Sequence, residues 1–176
     1  MKDILEKAAR IQILIFDVDG VLTDGSLFLD NEGQEYKAFN SQDGHGIKML
    51  QKHGVRCAII TGRTSKVVEH RIRNLGIAPE LVWQGQHDKL HGFAELLEQT
   101  GLQTDEVAYV GDDVVDLPVM QKVGLAIAVQ DAHPFVLKHS HWQTQRPGGR
   151  GAARDVCEML LESRGVLQQE LESYLS

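Results

Sequence analysis

The sequence has little of what marks several large classes of protein. Only two cysteines occur in 176 residues, Cys57 and Cys157, so there is neither a disulfide framework nor a paired-cysteine metal motif. No stretch approaches the roughly 18 apolar residues of a membrane-spanning helix, and the N-terminal segment lacks the apolar core of a signal peptide. We therefore expect a cytoplasmic protein with reduced, buried thiols and no membrane partner.

Basic residues are also scarce relative to acidic ones. The chain has 18 Lys and Arg against 25 Asp and Glu, a formal net charge of -7. A broad nucleic-acid surface needs clustered basic residues that displace counterions, so we expect no nucleic-acid partner. The length and the 42% hydrophobic content suit one sizeable core, and neither a repeat nor a low-complexity linker divides the chain. We predict a single domain over residues 1–176.

Short apolar runs alternate with amphipathic segments along most of the chain. Glycines follow three of the amphipathic segments, at Gly54, Gly76 and Gly101, as expected where helices end. This alternation predicts an α/β fold, a Rossmann-like doubly wound parallel sheet flanked by helices. The predicted strands are residues 11–16, 55–60, 81–83, 107–110 and 125–129. The predicted helices are residues 46–53, 65–75, 87–100 and 151–161.

Two segments fall outside this alternation. Residues 25–39 carry two arms of alternating apolar residues around a polar turn at 30–33, which predicts a projecting β-hairpin flap. Residues 165–176 are polar, and we expect a C-terminal tail there.

Polar residues follow the apolar runs at the point where each predicted strand ends. Asp17 and Asp19 follow the first strand, Thr61 follows the second, and Lys89 lies near the start of a helix. The carboxyl ends of parallel strands share one edge, where open α/β sheets bind ligands. Several carboxylates would repel one another there unless a divalent cation neutralised them, and oxygen-only ligands favour Mg²⁺. The acidic residues that follow the strand at 107–110 are Asp112, Asp113 and Asp116.

These residue types suit phosphoryl transfer. Asp17 can attack phosphorus without first losing a proton, and water can hydrolyse the resulting acyl phosphate. Asp19 could protonate the leaving oxygen and later accept a proton from the attacking water. Lys89 and the Thr61 hydroxyl would balance charge on the phosphoryl oxygens, and Arg63 could bind a second anionic group.

In this order, the residues resemble the haloacid dehalogenase superfamily, where an Asp-x-Asp motif precedes a Thr or Ser, a Lys and an acidic pair. DVDGV after an apolar strand, then IITGR, then YVGDDVVD form a far more specific pattern than Asp-x-Asp alone. The resemblance implies a phosphoric monoester hydrolase with an aspartyl-phosphate intermediate. The matching positions are Asp17 and Asp19, Thr61, Lys89, and Asp112 with Asp113.

A narrower resemblance covers nearly the whole chain. The segments DVDGVLTDG, KAFNSQDGHGIK, GQHDK, VAYVGDDVVDLPVM and GGRGAARDVCE resemble the family of 3-deoxy-D-manno-octulosonate 8-phosphate phosphatases. That family releases the sugar acid of the lipopolysaccharide inner core. The resemblance therefore implies the same Mg²⁺-dependent hydrolysis, carried out by a homotetramer.

The resemblance also implies a set of ligand contacts. Mg²⁺ would be held by Asp17, the main-chain carbonyl of Asp19, and Asp112. Asp113 and Asp116 would support these ligands. The substrate contacts that the resemblance implies are Asp19, Asn40, Ser41, Gln42, Asp43, Gly44, Lys48, Thr61, Gly62, Arg63, Arg71 and Lys89.

The spacing of the motifs leaves no room for a cap domain. The intervals between Asp17 and Thr61 and between Lys89 and Asp112 are too short to hold one. The site would then be open in the monomer, and an open site neither excludes water nor selects a small substrate. We expect a neighbouring subunit of a homo-oligomer to cover it, with the hairpin at 25–39 as the covering element.

Three alternative functions are open at this level. A related phosphatase could act on a nonulosonate 9-phosphate of the sialic-acid type, a choice that depends on Arg63, Arg71 and the loop at 40–44. Lys48 bears on the substrate too, because it replaces an arginine of the family pattern. A non-catalytic regulatory homologue would keep the fold, although the intact motifs disfavour it. A signalling receiver shares these residue types, but its acidic pair comes first in the sequence, so the order here disfavours it.

Overall fold

The structure, a computed structural model that describes residues 2–175, contains a central sheet and a separate hairpin. Its strands are β1 Ile13–Phe16, β2 Phe28–Leu29, β3 Glu35–Tyr36, β4 Arg56–Ile60, β5 Val82–Trp83, β6 Val107–Gly111, β7 Leu125–Ala128 and β8 Trp142–Gln143. The central sheet has six strands in the order β5-β4-β1-β6-β7-β8, and every pairing in it is parallel. The predicted doubly wound parallel sheet is confirmed.

The position of β1 determines where a ligand can bind. β1 lies between β4 and β6, so the chain first adds β4 and β5 on one side of β1 and then crosses to add β6, β7 and β8 on the other. All four side chains of β1 are fully buried, as expected for a strand covered on both faces. Open parallel sheets bind ligands in the crevice at such a reversal of strand order, beyond the carboxyl ends of the strands.

Helices connect the strands and cover the sheet. They are α1 Lys2–Ala8, α2 Ser41–Lys52, α3 Lys66–Leu75, α4 Lys89–Thr100, α5 Leu117–Met120, α6 Pro134–Lys138, α7 Ala152–Ser163 and α8 Leu167–Glu172. α7 packs against both α1 and α2. A β-carbon on Gly46 of α2 would lie only 2.7 Å from Arg154 Cδ of α7, so the glycine permits this close packing.

The helix ends follow local signals. Gly76 and Gly101 end α3 and α4 in the left-handed conformation that the sequence predicts. α2 begins at Ser41, earlier than the predicted residue 46, because Asn40 Oδ1 accepts hydrogen bonds from the main-chain N–H groups of Gln42 and Asp43. α1, α5, α6 and β8 were not predicted from sequence, since each is too short to show a clear periodicity.

The two segments outside the alternation take different forms. The hairpin predicted at 25–39 is confirmed, with β2 and β3 antiparallel and Phe28 opposite Tyr36. The residues after Gly165, expected as a polar tail, instead form α8, in which Glu170 is buried. Ser176 lies outside the described residues. Within 2–175, no helix combines the length and apolar character needed to cross a bilayer.

Candidate active site

The loop after β1 carries the first two candidate residues. Asp17 directly follows the buried strand, is only 6% exposed, and accepts a hydrogen bond from the Val18 main-chain N–H at 2.7 Å. Asp19 lies two residues further on, and its side chain is 22% exposed. At the carboxyl edge of the sheet, the Asp17 carboxylate is therefore buried and the Asp19 carboxylate is partly open to solvent.

A glycine allows the two acidic loops to approach each other. Gly20 has a φ of 86°, and a β-carbon there would lie 2.1 Å from Asp112 Oδ2. Asp112 follows β6, the neighbour of β1 in the sheet. Any larger residue at position 20 would push the Asp112 carboxylate away from the loop of Asp17.

A buried lysine joins these loops to the start of α4. Lys89 is the first residue of α4, and Asp88 caps that helix by accepting from the Leu90 N–H. The Lys89 Nζ lies 2.9 Å from Asp17 Oδ2 and 2.6 Å from Asp116 Oδ1. Its third contact is the Tyr109 hydroxyl, at 3.2 Å. All three ammonium protons thus have an acceptor.

Asp116 supports the site from the protein interior. It is fully buried, and its Oδ1 accepts hydrogen bonds from Lys89 and from the Tyr109 hydroxyl. Its Oδ2 accepts from the main-chain N–H groups of Asp112 and Asp113, at 3.0 and 3.2 Å. With both oxygens occupied in this way, Asp116 shapes the loop after β6. Asp113 lies exposed and caps the following turn through Val114 N–H.

The electrostatics of the site reflect crowded negative charge. Burial, followed by the charge of Asp116, raises the pKa of the Asp17 carboxyl to about 6. Burial and the charges of Asp116 and Asp17 raise the pKa of Asp112 to about 8. Although burial alone would lower it, the pKa of Lys89 is raised by Asp17 and Asp116. The carboxylates therefore carry more negative charge than one ammonium group compensates.

The donor set fits a magnesium ion. Asp17, Asp112 and Asp116 offer carboxylate oxygens that lie within 4.8 Å of one another. Within residues 2–175, no donor hydrogen-bonds the partly buried Asp112 carboxylate, unlike that of Asp116. All-oxygen sites with uncompensated negative charge are the kind that Mg²⁺ occupies. Asp17 and Asp112 would thus hold such an ion, and Asp116 would support them.

These carboxylates line a cavity of about 340 Å³ that opens at the sheet edge. Thr61 follows β4, is 2% exposed, and donates its main-chain N–H to the carbonyl of Trp83 in β5. Gly62 and Arg63 come next and also line the cavity. The predicted residues that the structure brings together here are Asp17, Asp19, Thr61, Gly62, Arg63, Lys89, Asp112 and Asp113.

Four further lining residues were missed by sequence reasoning. They are Gly25, Gln86, His87 and Val115. The one signal for His87 and Gln86 was their place in the GQHDK segment, which ends at Lys89. Val115 is 56% exposed and adds an apolar surface at the cavity mouth.

The remaining predicted substrate contacts lie elsewhere in the chain. Lys48 and Arg71 line a separate cavity of about 250 Å³, together with Ser41 and Gly44 at the start of α2. The Arg71 Nη2 donates to the Asn40 carbonyl at 2.9 Å. None of these residues lines the carboxylate cavity of the same chain.

Two members of the loop at 40–44 have structural partners of their own. Asp43 is 2% exposed, and its carboxylate accepts from the main-chain N–H groups of Gly151 and Arg154 at the start of α7. Gln42 is exposed and accepts a long, 3.5 Å hydrogen bond from Arg146. In this arrangement the Asp43 carboxylate stabilises the N-terminus of α7, and its contact with substrate stays a prediction.

Comparisons with known proteins agree with one another. Residues 80–154 match the family model of haloacid dehalogenase-like hydrolases. The 3-deoxy-D-manno-octulosonate 8-phosphate phosphatase of Escherichia coli is 48% identical over 167 residues, which cover 95% of this chain and 88% of that protein.

Solved structures agree with the sequence comparison. The crystal structure of 3-deoxy-D-manno-octulosonate 8-phosphate phosphatase from Yersinia pestis is 48% identical, covers 94% of this chain and 89% of its own, and superimposes with a TM-score of 0.92. The Moraxella catarrhalis enzyme of that name, solved with a magnesium ion, a phosphate ion and a KDO molecule, is 37% identical. It covers 99% of both chains with a TM-score of 0.95.

Proposed function

Because the chain belongs to the family of 3-deoxy-D-manno-octulosonate 8-phosphate phosphatases, within the haloacid dehalogenase-like hydrolases, we propose that it hydrolyses 3-deoxy-D-manno-octulosonate 8-phosphate. The products are the free sugar acid and inorganic phosphate, and the reaction serves synthesis of the lipopolysaccharide inner core. The chain is thus a phosphoric monoester hydrolase that uses Mg²⁺.

The observation that carries this proposal is the pairing of Asp17 with Lys89 inside a cavity lined by Asp112. A carboxylate is a weak nucleophile in water. Here it is largely removed from solvent, and the ammonium group at 2.9 Å favours its charged form against the effect of burial. Asp17, the Asp19 main-chain carbonyl and Asp112 would hold Mg²⁺, which would supply positive charge to the phosphoryl oxygens.

In the first half-reaction, an Asp17 oxygen forms a bond to phosphorus as the bond from phosphorus to the sugar oxygen breaks. Asp19, which enters this step protonated, gives its proton to the departing sugar oxygen. Lys89 and Thr61 stabilise the negative charge spread over the phosphoryl oxygens. The enzyme is left as an aspartyl phosphate, with Asp19 as a carboxylate.

In the second half-reaction, water attacks the same phosphorus. Asp19 accepts a proton from that water as the bond between phosphorus and Asp17 breaks. Phosphate leaves, Asp17 returns as a carboxylate, and Asp19 is again protonated. One water molecule is consumed for each phosphate released.

We also propose that the active enzyme is a homo-oligomer, with a tetramer expected. The cavity is open at the sheet edge, and the predicted sugar contacts are split between two cavities of one chain. A neighbouring subunit that covers the opening would exclude water and complete the sugar site.

The test is phosphate release from 3-deoxy-D-manno-octulosonate 8-phosphate and from a panel of other sugar phosphates, with Mg²⁺ and with chelator. We expect fast release from that substrate, loss of release with chelator, and recovery when Mg²⁺ is restored. Equal release from a nonulosonate 9-phosphate would contradict the substrate assignment while keeping the chemistry. Absence of release from every monoester would contradict the catalytic proposal itself.

A further inference from the structure

A buried lysine from the hairpin reaches into the active site of its own chain. The Lys37 side chain is 1% exposed, and its Nζ lies 2.5 Å from Asp19 Oδ1. A second carboxylate, Glu35, lies 3.2 Å from the same nitrogen. Burying an ammonium group is costly unless it is paired, so two carboxylate partners define where Lys37 must lie.

The second arm of the hairpin brings Lys37 to this position. Glu35 of β3 and Lys37, which directly follows the strand, contact each other, whereas Tyr36 between them is exposed. Tyr36 and its partner Phe28 are 58% and 55% exposed. The hairpin thus presents charged groups to the active site and apolar groups to the outside.

An ionic chain ties this charged face to the active site. The Arg63 Nη2 lies 2.7 Å from Glu35 Oε1, and the Arg63 Nε lies 3.9 Å from Asp19 Oδ2. Glu35 therefore bridges Lys37 and Arg63. Opposing charges of this kind hold the hairpin in a defined position over the loop of Asp19.

Asp19 needs such support more than Asp17 does. Asp17 is held by a main-chain N–H group and by Lys89, whereas the only contact within hydrogen-bond distance of the Asp19 carboxylate, among residues 2–175, is Lys37. A carboxyl group that must transfer a proton to a bound oxygen is effective only in a narrow range of orientations. Lys37 engages Oδ1, so Oδ2 is the oxygen left for proton transfer.

We propose that Lys37 is the positioning residue for the Asp19 carboxyl group. This inference rests on the acid–base role of Asp19 in the proposed function. By holding Oδ1, Lys37 directs Oδ2 towards the departing sugar oxygen. That oxygen takes the proton from Asp19 as its bond to phosphorus breaks. The hairpin of each chain is therefore part of its own catalytic apparatus.

The test compares leaving groups in the variant Lys37→Met. The departing oxygen of an alkyl phosphate needs a proton, whereas the nitrophenolate of p-nitrophenyl phosphate departs without one. We expect kcat/KM, which covers the steps up to departure of the leaving group, to fall about 10- to 100-fold for the alkyl phosphate, a part of what general acid catalysis supplies. The kcat/KM for p-nitrophenyl phosphate should fall much less. Lys37→Gln, which keeps a hydrogen-bond donor, should recover part of the difference.

Two further variants bracket this effect. Glu35→Gln removes one of the two carboxylate partners of Lys37, so it should show a smaller loss of the same kind as Lys37→Met. Lys138→Met removes an exposed lysine of α6 and should match wild type with both substrates. Melting curves with and without Mg²⁺ verify that each variant is folded. If Lys37→Met does not fold, Lys37→Gln takes its place in the comparison of substrates.

Equal losses of kcat/KM for the two substrates in Lys37→Met, or no loss, would overturn the proposal. Any alkyl phosphate that wild type hydrolyses can be used, so the comparison does not depend on which sugar acid is the substrate. Failure of wild type to hydrolyse 3-deoxy-D-manno-octulosonate 8-phosphate would refute the proposed substrate and leave this ratio measurable.

Discussion

Asp17 and Asp116 are both buried aspartates, yet their surroundings give them different tasks. Asp116 has four hydrogen-bond donors on its two oxygens and faces the interior. Asp17 lines the cavity, and its Oδ2 contacts only Lys89 among the described residues. Asp17 has the less complete hydrogen bonding of the two and can contact a substrate. This difference is the physical basis for assigning Asp17 as the nucleophile.

The first prediction concerns the nucleophile. Asp17→Asn should reduce turnover by about three orders of magnitude or more, because an amide cannot form the acyl phosphate. The side chain keeps nearly the same shape, so the fold and the position of Lys89 should be retained. Phosphate release measures the first effect and thermal melting the second. A folded variant with near-normal turnover would contradict the assignment.

The second prediction concerns Tyr109. Its hydroxyl is fully buried, donates to Asp116 Oδ1 at 2.7 Å, and accepts from Lys89. Tyr109→Phe should lower kcat about tenfold with little change in KM, because a hydrogen bond to a charged group contributes roughly 1.5 kcal/mol. Steady-state kinetics provide the measurement. An unchanged kcat, or a change confined to KM, would show that Lys89 is positioned without the hydroxyl.

At the scale of elements, the predicted strands and three of the four predicted helix starts lie close to the observed bounds, and α2 is the exception. The buried strands appear in sequence as continuous apolar runs, and β1, β4, β6 and β7 were found within one or two residues of their bounds. The start of α2 was missed because it contains Gly44 and Gly46, which have low helix propensity. The packing of Gly44 against Arg71 and of Gly46 against Arg154 offsets that propensity, and neither contact is visible in the local sequence.

The third prediction concerns α8. Glu170 is buried against α2, 2.7 Å from the Lys52 Nζ and 2.8 Å from the His53 Nε2. The hydrogen bonds from Lys52 and His53 lower the pKa of Glu170 to about 2, from an ordinary value of 4.5. Replacing it with Gln should lower the melting temperature by a few degrees near neutral pH.

The pH dependence of this effect has a defined sign. Because the pKa is lower in the folded state, the stabilisation is complete above pH 4.5 and is lost as the pH falls towards 2. The difference in melting temperature between wild type and Glu170→Gln should therefore shrink over that range. Glu162→Gln, at an exposed position of α7, is the control. A difference that stays constant with pH would contradict the ionic account of how α8 is held.

At the scale of the whole molecule, the sheet has one reversal of strand order, and the acidic loops lie there. The hairpin projects from the same edge with Leu27, Phe28, Leu29 and Tyr36 exposed between 53% and 60%. Clustered exposed apolar side chains of this kind mark surfaces that bind other proteins. A second copy of the chain fits the proposal that the open cavity is covered by a neighbour.

The fourth prediction follows from that surface. Phe28→Ser should weaken self-association and reduce activity at low protein concentration, since isolated subunits leave the cavity open. Sedimentation and activity should be measured over the same dilution series. Phe135→Ser, at a 51% exposed position of α6, is the matched control and should resemble wild type. Monomers with full activity and full substrate selectivity would refute the covering role of the neighbour.

The sequence by itself determined the fold class, the order of the motifs and the nucleophile candidate. Buried parallel strands appear in the sequence as apolar runs, and each motif directly follows its strand. The sequence alone therefore places Asp17, Thr61 and Asp112 at the carboxyl edge of the sheet. The comparisons then confirmed the family that those motifs resemble.

Only the tertiary structure decided which distant residues meet. The contact of Lys37 with Asp19, the hydroxyl of Tyr109 beneath Lys89, and the separation of Arg71 from the carboxylate cavity all depend on how elements pack. No periodicity or local spacing encodes such contacts, because they join residues of different elements. They depend on how the whole chain packs. Lys37, for example, takes its position from the two carboxylates that surround it, Asp19 and Glu35.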